Sequence, residues 1–505
     1  GNIELDEPTP FGKYLGCDHQ VKQARLGDIL KELGTVPICI QRAIDAGVAV
    51  DMDRIVTVMI YDSKPFMEQC LSTYEELAKS TGQGTKFKHV DTPFLDEAAL
   101  LQHEIDHFAP LGREIARDAK SNASGSSQSE ATSFNDTDSM CSQMTSQSSA
   151  ESTSSASTSA SKSSKKKKYK KNKGPAVKIP PEEGGALQPI ASSCLMKILY
   201  GSRLARPDLQ RATCYMARLI TKWTHACDKM LHRLMCYISS TLEVKLQGFI
   251  GDPFQDLTIE LYADADLASC KATAKSTSGV LVAIGGPHSY FALNWISNKQ
   301  TCQSHSTAES EIIAADTALR AEGIPALQLW ETIAHMMNGT PLPGNYEQRF
   351  GSDIISWTVA DIVADENNKR IEKVHIKMYF HEDNQAAIQV FKTGRNPTMR
   401  HLGRTHKIDI GWTSNIFARE MCVLGYCDTD KQAADMFTKS FSDKSKWIKV
   451  RGLVGLIDFS KCKHLFTTSK IHHPSDNVKL HSVKKSSVAC VALPISNQYL
   501  PNSFA

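Results

Sequence analysis

The chain of 505 residues has room for two or three domains, and an apolar fraction of 41% is ample for a packed core. Its formal charge of +3 conceals a strong local bias, because a Ser/Thr tract is followed by eight lysines between Lys162 and Lys173. The composition excludes two classes. Fourteen cysteines without CxxC pairs read as reduced thiols of an intracellular protein, not a disulfide framework. No run approaches the roughly 18–20 apolar residues of a membrane helix, and no N-terminal signal peptide is visible.

In chain order, Pro8-Thr-Pro-Phe-Gly-Lys-Tyr-Leu-Gly16 precedes an alternating strand, IVTVMIYD, within Ile55–Ala78. That strand runs into an amphipathic helix around Phe66, Cys70, Tyr74 and Leu77. From Lys120 to Ser164 the chain is almost all Ser, Thr, Asn, Gln and small residues. Such a segment cannot bury enough apolar surface to offset ordering entropy, so a disordered linker is expected over 120–185. Its KKKKYKKNK run suits phosphate backbones, a nuclear localisation signal, or a merely solvated charge run.

Helical periodicity returns over Ala191–Thr241, with Lys197, Arg203, Arg206, Arg211, Arg218, Lys222, Lys229 and Arg233 making these helices basic. Strands are then expected at 258–265, 278–285 and 290–299, with Gly285-Gly286-Pro287 breaking the second from the third. A long helix over 306–336, a strand over 374–382, helices over 384–393 and 405–419, a strand over 421–427 and a helix over 432–440 follow. This order specifies a mixed five-stranded sheet with helices on both faces. Asn338–Lys373, rich in Gly, Pro and Asn, reads as a surface insertion. Trp447–Ile457 reads as a closing helix, and the rest to Ala505 as a flexible tail whose Cys462, His464, His472 and His473 match no zinc spacing.

In TIELYADADLA, over Thr258–Ala268, apolar Ile259, Leu261 and Ala263 alternate like a half-buried strand, and Asp264 and Asp266 appear where that pattern stops. Three more acidic motifs adjoin apolar elements: Glu309/Glu311 opening a helix, Asp383 closing a strand and Asp435 opening a helix. Four acids delivered by separate elements can hold divalent metals. The acids also have ordinary roles: Asp266 bonding at the strand end, Asp383 or Asn384 as the N-cap of the next helix, Asp435 as a first-turn acid. Ser306-x-x-Glu309 is a capping-box pattern, which assigns Glu309 to the helix start and leaves Glu311 to face Asp264.

Seven motifs occur in one order over Leu257–Phe441: YADADLA, STSGVLVAIGG, WISNKQT, STAESE, EDNQAA, RHLGRTHKIDI and DKQAADMFTK. In that order they resemble the RNase H domain of copia-type LTR retrotransposon polyproteins. The segment before them, with Thr92-Pro93 and the Arg206-Pro207-Asp208 turn, resembles the reverse transcriptase after its catalytic strand, including thumb and connection helices. One departure is Leu267-Ala268-Ser269-Cys270, where the family usually has Trp-Ala-Gly. The resemblance implies an α/β chain with five parts: a C-terminal reverse transcriptase-like segment (1–119), the linker (120–185), a helical thumb/connection-like segment (186–250), an RNase H-like domain (251–445), and a closing helix with tail (446–505). The polymerase Tyr-x-Asp-Asp motif would precede residue 1, so this chain should not polymerise DNA by itself.

The implied activity is hydrolysis of the RNA strand of RNA–DNA hybrids, with Asp264, Glu311, Asp383 and Asp435 holding two Mg²⁺ (or Mn²⁺) ions. Asp264 would bridge both, Glu311 and Asp383 would complete one side, and Asp435 the other. Two ions roughly 3.5–4 Å apart activate water and neutralise the attacking and leaving oxygens, and hard Mg²⁺ prefers carboxylate oxygen. Substrate grip would fall to Ser276–Ser278, Asn384, Gln385, His401, Arg404, Thr405 and His406, with Arg206 and Lys222 on the basic helices. The helper histidine of many cellular RNases H has no counterpart in Cys427-Asp-Thr-Asp-Lys431. Expected partners are the hybrid and the upstream polymerase part of the same polyprotein, with no membrane, in a cytoplasmic particle or the nucleus. The alternative is an idle remnant that binds nucleic acid.

Overall fold

A computed structural model describes residues 12–82, 86–95, 184–270, 273–337 and 376–468. The expected linker, the insertion over 338–373 and the tail beyond 468 lie outside the described residues, apart from the linker's last two positions. The strands are β1 (Lys13–Tyr14), β2 (Cys17–Arg25), β3 (Ile55–Asp62), β4 (Val244–Ile250), β5 (Thr258–Cys270), β6 (Lys275–Gly286), β7 (Ser289–Gln303), β8 (Met378–Glu382), β9 (Cys422–Tyr426), β10 (Leu456–Asp458) and β11 (Thr467–Thr468). They form one mixed, open sheet in the order β1-β2-β3-β4-β7-β6-β5-β8-β9, with β10 on β4 and β11 on β2.

Five neighbours in that order, β7-β6-β5-β8-β9, are the mixed five-stranded sheet the sequence specifies. β5, β6 and β7 run antiparallel, while β8 and β9 join parallel to β5. The two-residue Pro287-His288 loop closes the second hairpin where glycines and proline were expected to break it. The sheet does not stop there. β4 pairs with β7 through Phe249 and Tyr290, and β3 pairs with β4 over five residue pairs, so the N-terminal strands extend the same sheet.

β5 is buried on both faces, not half-buried as its alternation suggests. Ile259, Leu261 and Ala263 pack in one core with Ile312, Ala315, Phe380 and Phe391. Tyr262 lies in the other, with Leu281, Trp295, Phe437 and Trp447. Glu260, on that second face, is 0% exposed. It is tolerated because Arg42 Nη2 donates to it at 2.6 Å and His381 Nε2 lies 2.7 Å away, which satisfies a carboxylate that would otherwise be costly to desolvate.

Several boundaries differ from those expected. The helix over 306–336 is divided into Thr307–Ala318 and Ile324–Met337 by a π-helical turn, Leu319–Gly323. Pro325 lacks the amide that would continue the ladder. Gly323 also passes so close to the sheet that a Cβ would meet Leu261 Cδ2 at 2.5 Å. The helix over 405–419 becomes Leu402–Thr405 and Ile410–Phe417, because Lys407 takes a φ of 61° and Asp409 caps the second piece. The expected strand over 374–382 is described as Met378–Glu382, and the helix over 432–440 shortens to Asp435–Thr438.

The closing helix spans Lys444–Val454, and the start of the expected tail is structured. β10 pairs with β4, β11 pairs with β2, and Phe459 and Cys462 are buried in the N-terminal core. Cys462 donates its thiol to the Asp458 carbonyl. Among the described residues no helix is long and apolar enough to cross a membrane.

Candidate metal centre

Parallel register is what brings the first two acids together. Tyr262 of β5 pairs with His381 of β8, so Asp264, two residues further along β5, lies beside Asp383, just past the end of β8. Glu311 comes from the first turns of the helix Thr307–Ala318, which packs on β5 and β6. Asp264, Glu311 and Asp383 offer carboxylate oxygens that all lie within 4.8 Å of one another. Asp264 is 2% exposed and Glu311 3%. The Glu311 Oε2 atom is buried with no hydrogen-bond partner.

Asp435 stands beside this group but is not one of the three grouped carboxylates, and a glycine lets it come that near. Gly279, opposite Asp264 on β6, has no room for a Cβ: one would sit 2.7 Å from both the Ala434 carbonyl and Thr438. The short helix Asp435–Thr438 therefore rests directly on the sheet. Thr438 donates its hydroxyl to Asp264 Oδ2. Lys439 Nζ lies 2.6 Å from Asp435 Oδ1 and 3.6 Å from Asp264 Oδ1, so an ammonium stands between the first acid and the fourth.

The electrostatics follow from crowding. Burial, then Asp264, Glu382 and Asp383, push the Glu311 carboxyl up to about 11. Burial and Asp264 raise Asp435 to about 8, and burial raises Asp264 against the pull of Lys439 and Thr438. Closely spaced buried carboxylates of this kind accept protons or bind cations. The orphaned Glu311 oxygen and the all-oxygen donor set fit a hard divalent ion such as Mg²⁺ or Mn²⁺.

Two contributors went unread in the sequence. Glu382 precedes Asp383, is 0% exposed and leaves Oε2 unpartnered, while its Oε1 accepts from the Asn384 amide at 3.0 Å. Burial, Asp383 and Asp264 raise its carboxyl well above the usual range. Lys439 is the other; its place one helical turn after Asp435 was the available signal.

The expected substrate-gripping residues divide. Gln385 and Arg404 are exposed, and Lys222 is exposed at a cavity of about 190 Å³ that Arg211, Arg218 and Lys299 also line. Three others are corrected. Ser276 is 0% exposed and accepts from the Ala268 amide, and Ser278 is 3% exposed and accepts from Gln300 Nε2. Arg206 is also 0% exposed and forks onto Asp208 at 2.9 and 2.8 Å, because the turn it begins folds under the helix His225–Ser240. None of these three presents its side chain to a duplex.

Asn384, not Asp383, caps the helix Gln385–Thr393 by accepting from the Ala387 amide, which spends its carbonyl oxygen locally. Asp266 pairs with Arg211 at 4.0 Å on the wall of a cleft of about 490 Å³ that Lys439 also lines.

Glu309 takes half of the capping box. Its amide donates to Ser306 Oγ at 3.2 Å, but its carboxylate accepts from the His305 amide at 3.1 Å instead of the Ser306 amide. Its other oxygen lies 3.0 Å from His401 Nε2, so His401 is held by the helix start. Thr405 turns its hydroxyl to the His401 carbonyl. His406 is half-buried, and burial lowers its affinity for a proton.

No family model matches this chain, and no solved structure matches it.

Proposed function

We propose that this chain is a divalent-metal-dependent endoribonuclease that cuts the RNA strand of RNA–DNA hybrids during retrotransposon reverse transcription. The observation that carries the reading is the convergence of Asp264, Glu311 and Asp383 within 4.8 Å, with a buried Glu311 oxygen lacking any partner. The ordered copia-type motifs supply the substrate class, and the β7-β6-β5-β8-β9 order agrees with an RNase H-like sheet.

Asp264, Glu311 and Asp383 would hold Mg²⁺ or Mn²⁺, with Asp435 beyond Lys439 serving a second ion. Bound there, such ions supply an activated water and neutralise charge on the attacking and leaving oxygens. The chain's own groups prepare the site. Thr438 orients the Asp264 carboxylate, and Lys439 offsets part of the negative charge. Lys222 and Lys299 line the adjoining cavity, where phosphates of a duplex would meet positive charge. The upstream polymerase part of the same polyprotein remains the expected partner, in a cytoplasmic particle or the nucleus.

A second reading, a remnant that binds hybrids without cutting them, draws on the Lys439 ammonium 2.6 Å from Asp435. Incubating the full chain with a labelled RNA–DNA hybrid separates the two. The nuclease reading expects RNA cleavage with Mg²⁺ or Mn²⁺ that is lost in EDTA and in Asp264→Asn. Tight hybrid binding without cleavage in either metal favours the remnant.

A further inference from the structure

A second group of metal-ligating side chains lies apart from the four acids. His305, Glu309 and His401 each offer a ligand atom, and these atoms all lie within 4.8 Å of one another. His305 Nδ1 stands 3.4 Å from Glu309 Oε2, and His401 Nε2 stands 3.0 Å from Glu309 Oε1. The two imidazole rings meet edge to face, with centroids 5.2 Å apart.

We propose that His305, Glu309 and His401 bind a zinc-class divalent ion that clamps the segment Asn396–His406 to the start of the helix carrying Glu311.

The spacing is what such an ion needs. Zinc bonds of about 2.0–2.1 Å in tetrahedral geometry put neighbouring ligand atoms roughly 3.3 Å apart. His305 faces one Glu309 oxygen at 3.4 Å and His401 the other at 3.0 Å, both near that value, so an ion bound by the carboxylate could replace these hydrogen bonds with side-chain shifts. The donor set also sorts the two centres chemically. Two imidazole nitrogens and one carboxylate suit zinc, cobalt or nickel, whereas the all-carboxylate centre suits Mg²⁺ or Mn²⁺.

Access and support differ usefully around the group. The Glu309 side chain is 2% exposed and anchored by the His305 amide, His401 is 35% exposed, and His305 is 78% exposed. A buried carboxylate thus holds a fixed position while a solvent-facing imidazole closes over the ion. A water molecule would take the fourth position, as in zinc sites with three protein ligands.

The consequence is mechanical. His305 and His401 are far apart in sequence, and a shared ion would join the loop entering the helix Thr307–Ala318 to the turn Asn396–His406. Glu311 stands two residues beyond Glu309. Zinc occupancy would therefore stiffen the helix start that presents Glu311, without entering the acidic centre.

The probe is Co²⁺, then Zn²⁺, titrated into the full chain with Mg²⁺ in excess to occupy the acidic centre. The expected result is one equivalent of Co²⁺ giving visible absorption of a low-coordinate nitrogen–oxygen site, displaced by Zn²⁺. His305→Ala, a change at an exposed side chain that should fold normally, is expected to weaken binding roughly tenfold or more. His401→Ala should do the same, and Asp264→Asn should leave binding unchanged. Absence of the Co²⁺ signal, or a signal that persists undiminished in both histidine variants, would overturn the proposal. Loss of the signal in Asp264→Asn with both histidine variants unaffected would also overturn it, by assigning the ion to the acids.

Discussion

Lys439 places its ammonium 2.6 Å from the Asp435 carboxylate, one helical turn along the same chain segment. That pair, with Asp264 at 3.6 Å from the same ammonium, gives the acidic centre an internal counter-ion. Lys439→Gln removes the counter-ion and leaves crowded carboxylates. The variant should lose about 1–2 kcal/mol in EDTA, less than a fully buried pair because Lys439 is 36% exposed. Mg²⁺ should restore more stability to the variant than to the parent. Urea melts with and without Mg²⁺ measure both effects; equal Mg²⁺ responses would refute competition between lysine and metal.

The two glutamates of the STAESE segment should respond differently to the same chemical change. Glu311→Gln removes one carboxylate of the converging group and is expected to cut hybrid cleavage by roughly 10²-fold or more while leaving the fold intact. Glu309→Gln can still accept from the His305 amide and should retain cleavage, at a stability cost of about 1 kcal/mol. Steady-state kinetics on both variants decide the register of this helix. An inactive Glu309→Gln beside an active Glu311→Gln would reverse the assignment.

Glu260 predicts an acid-sensitive contribution to stability. Burial opposes its ionisation, but hydrogen bonds from His381 and Arg42 prevail and hold its carboxyl down at about 2, against an ordinary value of 4.5. A group depressed in the folded state stabilises fully above its unfolded value, and that stabilisation is lost as pH falls toward the folded value. The contribution should be complete above about pH 4.5 and decline from there to pH 2. Glu260→Gln should lose about 2–4 kcal/mol at neutral pH and flatten that part of the pH–stability curve. A parallel curve for parent and variant would disprove the linkage.

Arg206 and Lys222 should divide stability from binding. Arg206→Ala leaves Asp208 buried without its partner and should cost about 3–5 kcal/mol with no specific change in the salt dependence of hybrid binding. Lys222→Ala should lower the melting temperature far less than Arg206→Ala and reduce the slope of log affinity against log salt by about one. Fluorescence anisotropy over a salt series, with thermal melts on the same samples, tests both.

The sequence alone determined the order of strands and helices in the mixed sheet, because apolar alternation and glycine breaks are local signals. It also marked four acids, Asp264, Glu311, Asp383 and Asp435, as carboxylates at the ends of apolar elements; the fold brings the first three within 4.8 Å and sets Lys439 between Asp264 and Asp435. Tertiary structure decided the rest. Gly279 and Gly323 mark close approaches that no periodicity reveals, and one of them seats Asp435 and Lys439 against Asp264. Ser276, Ser278 and Arg206 look like substrate contacts in sequence, but packing turns each inward, since burial depends on what covers a face and not on the residue's own chemistry. The β3–β4–β7 pairing that makes one sheet of distant segments depends on backbone edges, which carry no side-chain signature. His305, Glu309 and His401 meet for the same reason: a histidine roughly ninety positions away in sequence becomes a neighbour only when the fold closes.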